Sequence, residues 1–181
     1  MPVQYKPNDE NKDFYMMINN EKYSDTLFIF NDNVEQAQSF ISYVKLIQNN
    51  EFNSKNKEHK KLLDNSGSGG GGNAIIRPYQ ILDRPRSIGI PTGSITLGKG
   101  FKSLDEKVVV DGKKLGSAKD MIDESLELLK FLVDKYGYKK VAYSADKNGN
   151  LGSGIFKFTD EINKYIVNGI YEILGQHRPN K

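Results

Sequence analysis

Two glycine-rich segments of the sequence are suited to holding an anion. Residues 67–72 form its most glycine-dense stretch, and residues 152–156 (Gly-Ser-Gly-Ile-Phe) precede a predicted helix. Because glycine has no Cβ atom, backbone N–H groups there can approach a phosphate closely and form a concave anion site. Two such loops facing one cleft would grip a diphosphate from both sides. The sequence therefore predicts a small, phosphate-bearing ligand.

Residues 67–72 have a second interpretation, because low-complexity glycine is also typical of a flexible linker. They do not form a Walker A loop, since no Gly-Lys-Ser/Thr follows them. They do not match the dinucleotide-binding fingerprint either, since we interpret the following residues 73–79 as extended and bounded by Pro78. The binding interpretation is favoured by the second loop, which lies ahead of a helix that Thr159 or Asp160 can cap.

Few side chains in the sequence are suited to catalysis. Cysteine is absent, which excludes disulfides and thiolate chemistry, and with only His59 and His177 we expect no metal site. Ser144 and Ser153 have no histidine nearby in the sequence, so no Ser-His-Asp arrangement is visible. Asp146 could accept a hydrogen bond from a sugar hydroxyl or activate water, but an aspartate before Lys-Asn-Gly also forms turns.

Two further side chains have alternative roles. Arg77 could pair with a phosphate or with Asp83. Phe156 could belong to the core, which is the first expectation, or stack on a base or a ribose. The sequence leaves both pairs of alternatives open.

The elements that position these residues alternate between strand and helix. An unbroken apolar run over residues 27–30 predicts a strand buried on both faces, and Asn33 is placed to cap the helix that follows. The alternation predicts an α/β domain with a central, mostly parallel sheet flanked by helices. Strands are predicted over residues 25–31, 87–90 and 140–144, with an edge strand or a loop over 108–110, and helices over residues 34–48, 117–136 and 160–174.

The remaining segments have weaker patterns. Residues 14–18 predict a short strand, residues 49–61 a surface loop or a frayed helix end, and residues 91–93 a turn.

Ligands of open α/β sheets lie outside the carboxyl ends of the strands. The predicted loops with that position are residues 31–33, 91–93 and 144–156.

Length and composition favour one domain. A chain of 181 residues with 37% apolar content can bury one sizeable core. We divide it into a partly extended lead-in (residues 1–24), an α/β domain (25–175) and a polar tail (176–181). No apolar stretch reaches the ~20 residues that span a bilayer, and no leader pattern is visible. We therefore expect an intracellular, cytoplasmic protein without membrane association, with a nuclear location left open.

The charge balance does not favour nucleic acid as a partner. The formal net charge is only +3, and acidic residues are intermixed with lysines throughout the chain. A protein that binds the phosphate backbone needs basic side chains gathered on one face. We interpret the lysines as a solvated surface.

Taken together, four blocks of the sequence resemble a divergent macrodomain. They are Asn-Asp-Asn at residues 31–33, Gly-Gly-Gly-Gly-Asn-Ala-Ile-Ile at 69–76, Ile-Gly-Ile-Pro-Thr-Gly at 88–93, and the stretch from Val-Ala-Tyr-Ser at 141–144 to Gly-Ser-Gly-Ile-Phe-Lys-Phe at 152–158. The resemblance covers roughly residues 27–174. It implies a single three-layer domain whose ligand is ADP-ribose or a related nucleotide. We expect no cofactor.

By that resemblance, residues 152–156 would wrap the diphosphate and the distal ribose, residues 70–73 would line the other side, and Asn33 would stand near the distal ribose. If the protein hydrolyses an ADP-ribose ester, an ADP-ribosyl bond or a terminal phosphate, Asn33 and Asp146 are the catalytic candidates. The expected ligand-binding residues are Asp32, Gly70, Gly71, Gly72, Asn73, Thr92, Gly93, Ser144, Gly152, Ser153, Gly154, Ile155 and Phe156.

The chain departs from the family pattern in three places. Asn-Asp-Asn replaces Asn-Ala-Ala-Asn, Lys157 replaces a glycine, and residues 146–150 are inserted after the last strand. These departures affect hydrolysis more than binding, because backbone amides can hold a diphosphate whatever the side chains are.

Two kinds of partner follow from this interpretation. One is an ADP-ribose-like small molecule, and the other is an ADP-ribosylated protein. An alternative of a different class is a non-catalytic protein-interaction module that has lost ligand binding. That alternative predicts an empty or a filled cleft, for instance with Phe156 collapsed onto residues 70–72.

Overall fold

A five-stranded sheet forms the centre of the molecule. The computed structural model of the chain describes residues 3–6, 13–152 and 156–179. In chain order the strands are β1 (Val3–Lys6), β2 (Thr26–Asn33), β3 (Ser87–Ser94), β4 (Lys99–Gly100), β5 (Lys107–Val110), β6 (Lys113–Ser117) and β7 (Lys140–Ser144). The α-helices are α1 (Phe14–Ile18), α2 (Val34–Gln48), α3 (Lys57–Gly67), α4 (Ala118–Tyr136) and α5 (Asp160–Ile173), and two 3-10 helices cover Glu21–Tyr23 and Gly72–Ile81.

The central sheet is mixed. Its strand order is β1-β7-β2-β3-β4, in which the first four strands are parallel and β4 is antiparallel to β3. Strands β5 and β6 form a separate antiparallel hairpin. The predicted α/β class, with a mostly parallel sheet flanked by helices, is confirmed. Because β1 pairs with β7, the sheet already begins at Val3, ahead of the expected domain start at residue 25.

Strand β2 divides the core into two layers. Leu27 and Ile29 belong to a buried cluster shared with α2, α4 and α5, whereas Phe28 and Phe30 belong to a second cluster shared with α1 and the 3-10 helix Gly72–Ile81. Successive side chains of a strand point to opposite faces, so alternate residues reach different layers. The prediction that this strand is buried on both faces is confirmed.

The three long helices begin and end at the residues that the sequence indicates. The Asn33 side chain accepts a hydrogen bond from the Gln36 N–H at 2.8 Å and caps α2. Ser117 and Asp120 form a capping box at the start of α4, and Gly137 ends that helix in the left-handed region with φ 66°. Thr159 caps α5. These predicted helices are confirmed to within one residue at each end.

The expected short strand over residues 14–18 is wrong, because these residues form α1. The Asp13 carboxylate accepts a hydrogen bond from the Met16 N–H at 2.8 Å and starts the helix. The apolar residues recur at helical spacing, and a run this short does not by its pattern distinguish strand from helix. Its buried residues are Phe14, Met17 and Ile18.

Two segments around the first glycine-rich loop also differ from expectation. Helix α3 occupies part of the region predicted as a loop or frayed end, and it is capped by Asn56. Of its residues only Ser66 is fully buried, so the segment carries little apolar signal. The segment after the loop, expected to be extended, is the 3-10 helix Gly72–Ile81, which accommodates Pro78.

Strand β3 is longer than predicted. It runs to Ser94, so the turn expected at residues 91–93 lies within the strand, where Asp32 pairs with Pro91 and Asn33 pairs with Gly93. A register shift between Asp32 and Asn33 accommodates the proline at this end of the strand pair.

Within the described residues, no helix combines the length and the apolarity needed to cross a membrane.

The core arrangement predicts a clear difference between two positions on α4. Leu129 is completely buried, so Leu129→Ala should lower the free energy of unfolding by about 2–5 kcal/mol through lost burial and the cavity it leaves. Glu127 lies on the exposed side of the same helix. Glu127→Ala should therefore change the free energy of unfolding by less than about 0.5 kcal/mol. Urea unfolding of both variants measures the difference, and equal effects would contradict this packing of α4.

Candidate functional site

A cleft of about 830 Å³ opens at the carboxyl ends of β2, β3 and β7. This is the edge of the sheet where α/β proteins hold ligands. Side chains and backbone from both glycine-rich segments reach it. The lining residues are Ile29, Phe30, Asn31, Asp32, Asn33, Gln36, Gly69, Gly70, Gly71, Gly72, Asn73, Ala74, Arg77, Thr92, Ile95, Gly98, Ser144, Gly152 and Phe156.

Most of the residues selected from the sequence meet in this cleft. Those that line it are Asp32, Asn33, Gly70, Gly71, Gly72, Asn73, Thr92, Ser144, Gly152 and Phe156. Gly93 lies behind the lining, since a Cβ atom placed there would be 2.8 Å from Cγ of Phe156. Asp146 does not line the cleft. Ser153, Gly154 and Ile155 fall outside the residues that the structure describes.

Three side chains fix the end of α3, where the first glycine-rich loop begins. Gln36 Nε2 donates to the Asn65 carbonyl at 2.9 Å, Gln80 Nε2 to the Ser66 carbonyl at 3.0 Å, and Arg77 Nη1 to the Ser68 carbonyl at 2.7 Å. The last carbonyl groups of a helix have no partner within the helix, so these donors satisfy them. The interpretation of residues 67–72 as a flexible linker is therefore not supported.

The loop itself is shaped by close packing and by one left-handed residue. A Cβ atom at Gly70 would lie 3.0 Å from Arg77 Nη1 and 3.2 Å from the Ala74 Cβ, so the loop rests directly on the arginine. Gly72 has φ +58°, and no atom lies within 4 Å of the position its Cβ would take. The 3-10 helix that starts at Gly72 has Gly71 as its N-cap residue and no side-chain capping hydrogen bond. The Ala74 N–H donates to the Gly71 carbonyl at 3.2 Å, so the N–H groups of Gly72 and Asn73 are those that a side-chain cap would otherwise serve.

The second glycine-rich segment forms the opposite wall of the cleft, and a hydrogen bond from β2 holds its first residue in place. Asn31 Nδ2 donates to the Gly152 carbonyl at 2.9 Å, which joins the end of β2 to the start of the second glycine-rich segment. The Phe156 ring packs against Gly93, and the space above Gly72 is open. Among the described residues, none fills the space next to Gly72, and Phe156 does not pack onto that glycine.

A buried ion pair lies at the base of the cleft. Arg77 Nη2 contacts Asp32 Oδ1 at 2.6 Å, and the two side chains are 4% and 0% exposed. Asp32 Oδ1 also accepts a hydrogen bond from the Asn33 N–H at 2.8 Å. Burial raises the pKa of Asp32 above its ordinary value, although the Arg77 charge acts in the opposite direction. The partner of Arg77 is thus Asp32, and the alternative pairing with Asp83 is wrong.

The side chains of the two catalytic candidates are engaged in local hydrogen bonds. Asn33 uses its oxygen to cap α2 and donates from Nδ2 to Gln36 Oε1 at 2.8 Å. Asp146 Oδ1 accepts hydrogen bonds from the Asn148 and Asn150 N–H groups at 2.8 and 3.0 Å, as a turn-forming aspartate does. A catalytic role for either residue stays a prediction.

A rim loop, residues 94–98, borders the cleft and is anchored by Glu35 in the first turn of α2. The Glu35 carboxylate accepts hydrogen bonds from Ser94 Oγ at 2.6 Å, the Ile95 N–H at 2.9 Å and the Thr96 N–H at 3.0 Å. Burial by itself would raise the pKa of Glu35, but these hydrogen bonds outweigh it and hold the pKa below the ordinary value of 4.5. The loop thereby presents Ile95, which is 58% exposed, at the cleft.

Sequence reasoning missed several residues of this site. Gln36 stands at the third helical position after the Asn33 cap, where a Gln side chain commonly contacts the cap, so its spacing was a usable signal. Glu35 and Ile95 lie sixty residues apart, and no local pattern connects them.

Comparisons with known protein families, with curated protein sequences and with solved structures found no match for this chain.

The Glu35 anchor predicts a pH-dependent contribution to stability. Because its pKa is lower in the folded protein, the contribution is present above the ordinary pKa near 4.5 and is lost as the pH falls through the folded value. Glu35→Gln should lower the free energy of unfolding at pH 7 by about 1 kcal/mol, since partial exposure screens the charge. Below pH 4.5, the free energies of unfolding of Glu35→Gln and of the unmodified protein should become more similar.

Urea unfolding between pH 3 and pH 7 measures this effect, and hydrogen exchange of the Ile95 and Thr96 amides shows whether the rim loop is released. Glu127→Gln, a neutralisation at an exposed position of α4, is the control. If Glu35→Gln lowered the free energy of unfolding by the same amount at every pH, the charge of Glu35 would be excluded as the cause.

Proposed function

We propose that this protein binds ADP-ribose or a related diphosphate nucleotide in the cleft between its two glycine-rich segments. The observation that carries the proposal is the uncapped start of the 3-10 helix Gly72–Ile81, which opens into the cleft opposite Gly152 and Phe156. Helix N-termini attract anions because their N–H groups are unpaired and their dipoles are positive there. The site is therefore suited to phosphate groups.

The remaining surface of the cleft suits the sugar and base of a nucleotide. A volume of about 830 Å³ lies within the range of small-molecule and cofactor sites. Apolar surface from Ile95 and Phe156 can contact a ring, and the polar side chains of Thr92 and Ser144 can bond to hydroxyl groups. The resemblance of the sequence to macrodomains makes ADP-ribose the first ligand to test, either free or attached to a protein.

The cleft favours binding over bond cleavage. Among the described residues that line it, Asp32 is the only carboxylate, and it is paired with Arg77; histidine is absent from the same set. Asn33 is committed to capping α2. General-base catalysis needs a group within reach of water or substrate whose proton affinity suits the reaction. We therefore place hydrolysis of an ADP-ribosyl or phosphate bond second to binding.

The alternative of a protein-interaction module that has lost its ligand receives less support. A lost site would be filled or flattened, whereas the open cleft over Gly72 retains space for a ligand.

A charge placed at Gly152 tests the proposal directly. Among the described residues that are not its chain neighbours, a Cβ atom there meets only Ser144 atoms at 3.9 Å, so these residues leave room for a side chain. Gly152→Glu adds a carboxylate to the wall of the cleft opposite the anion site and should weaken ADP-ribose binding by at least tenfold, as measured by calorimetry. Gly152→Gln is the matched control of similar size, and it should weaken binding much less.

No measurable heat and no thermal shift with millimolar ADP-ribose for the unmodified protein would refute the proposed function. Equal losses of ADP-ribose affinity for Gly152→Glu and Gly152→Gln would instead indicate a steric effect. That result would refute the proposal that the cleft attracts the negative charge of the ligand. Circular dichroism confirms that both variants are folded.

A further inference from the structure

A closed turn, residues 146–150, leads into the second glycine-rich segment. The Asp146 carboxylate accepts a hydrogen bond from the Asn150 N–H at 3.0 Å, and the Asp146 N–H donates to the Asn150 carbonyl at 2.8 Å. The Tyr143 hydroxyl donates to the Gly149 carbonyl at 2.8 Å, which joins the turn to β7. Asn150 therefore stands at a fixed position where the chain leaves the turn.

Leu151, between the turn and Gly152, is held by helix α5. The Asn163 side chain accepts a hydrogen bond from the Leu151 N–H at 3.0 Å and donates to the Leu151 carbonyl at 3.3 Å. Leu151 also forms a β-bridge with Ala145, and both residues are 5% exposed. One amide side chain thus satisfies both backbone groups of a buried residue, as a neighbouring strand would do.

The chain that follows α5 has a defined direction. Gly175 has φ +73°, its N–H donates to the Glu172 carbonyl at 2.9 Å, and the Gln176 N–H donates to the Tyr171 carbonyl at 2.9 Å. These two bonds form a Schellman motif, in which glycine takes the left-handed conformation without the cost that a Cβ atom imposes. The path of residues 176–179 away from the helix is therefore set by Gly175.

Arg178 joins this segment to the turn. Its Nη2 donates to Asn150 Oδ1 at 2.7 Å, and both residues are partly buried. A hydrogen bond from a charged donor is stronger than one between neutral groups. Arg178 does not belong to the described residues that line the cleft. Its connection to the cleft runs through three consecutive residues, 150–152.

Gly152 is the end of this connection that lines the cleft. Its N–H donates to the Ser144 carbonyl at 3.1 Å, and its carbonyl accepts a hydrogen bond from Asn31 Nδ2 at 2.9 Å. Because glycine has no side chain, its position depends on these backbone bonds and on the residues that precede it. Movement of Asn150 would therefore change where the second wall of the cleft begins.

We propose that residues 175–178 form a strap that controls the cleft from outside it. While Arg178 is bonded to Asn150, the second glycine-rich segment starts from the position that binds a ligand, and release of the strap weakens binding. Arg178 is a positioning residue in this arrangement. The control of affinity rests on the proposed function, whereas the hold of the strap on residues 151–152 needs no ligand, so the two are measured separately.

Hydrogen exchange of the ligand-free protein tests the strap itself. Arg178→Ala should raise the exchange rates of the Leu151 and Gly152 amides by about fivefold, because both amides are hydrogen-bonded within the segment that the strap holds. Asn150→Ala removes the acceptor of the same bond and should have the same effect. His177→Ala, at an exposed neighbouring position, is the control and should leave both rates unchanged.

Calorimetry with ADP-ribose measures the control of affinity. Arg178→Ala and Asn150→Ala should each raise the dissociation constant by about fivefold, and the double variant should raise it no further, because both substitutions break one bond. Asn150→Ala changes no charge, so an equal loss in the two variants excludes a long-range attraction between Arg178 and the anionic ligand. Arg178→Lys keeps a charged donor and should restore part of the affinity.

A second pair of variants redirects the strap without altering its bond. Gly175→Ala places a Cβ atom on a left-handed residue, whereas Gly175→Asn introduces a side chain that tolerates this conformation better. Among the described residues, no atom lies within 4 Å of the Cβ position, so the backbone conformation accounts for the difference. Gly175→Ala should raise the dissociation constant for ADP-ribose more than Gly175→Asn does.

Unchanged exchange of the Leu151 and Gly152 amides in Arg178→Ala would overturn the strap, with or without ligand binding. Faster exchange together with an unchanged dissociation constant would overturn the control of affinity and leave nucleotide binding intact. Additive effects in the double variant would show that Arg178 does not act through Asn150, which also overturns the proposal. No binding of ADP-ribose to the unmodified protein would refute the proposed function and the control of affinity, while the exchange rates would still decide whether the strap holds the segment.

Discussion

The ion pair between Arg77 and Asp32 connects the parts of the molecule that form the cleft. Asp32 stands at the carboxyl end of β2, and Arg77 belongs to the 3-10 helix that follows the first glycine-rich loop. From there the guanidinium also holds the Ser68 carbonyl at the end of α3. One buried arginine thereby contacts the end of β2, the end of α3 and the glycine-rich loop that follows α3. Within the loop, the Gly70 N–H donates to the Ala74 carbonyl at 3.0 Å, which ties the loop to the start of the 3-10 helix above this support.

The ion pair also makes Asp32 unsuited to act as a general base in the cleft. A carboxylate that neutralises a buried arginine, and whose free oxygen faces Gly89, is poorly placed to take a proton from water in the cleft. Breaking such a pair leaves an uncompensated buried charge, which is strongly unfavourable. The structural role of Asp32 is therefore in conflict with a role in catalysis. Preorganised binding by the backbone is compatible with the same arrangement.

Much of the framework could be predicted from the sequence, because its signals are local. Residues 27–30 form a continuous apolar run, and the Asn33 and Ser117 caps mark two helix starts. What could not be predicted depends on contacts distant in sequence. Helix α3 has a polar pattern and owes its place to donors from elsewhere in the chain, and the partner of Arg77 lies 45 residues away. No spacing rule distinguishes Asp32 from Asp83 as that partner.

The first glycine-rich segment shows why the site was only partly predictable. Its composition is equally that of a linker, and the residues that make it a structured loop are Gln36, Gln80 and Arg77, none of which lies within it. A Cβ atom at position 70 would crowd Arg77 and Ala74, so glycine there allows the loop to pack closely onto the arginine. The meaning of a glycine-rich stretch thus depends on what lies beneath it. Here a buried arginine, paired with Asp32, supports the loop from below.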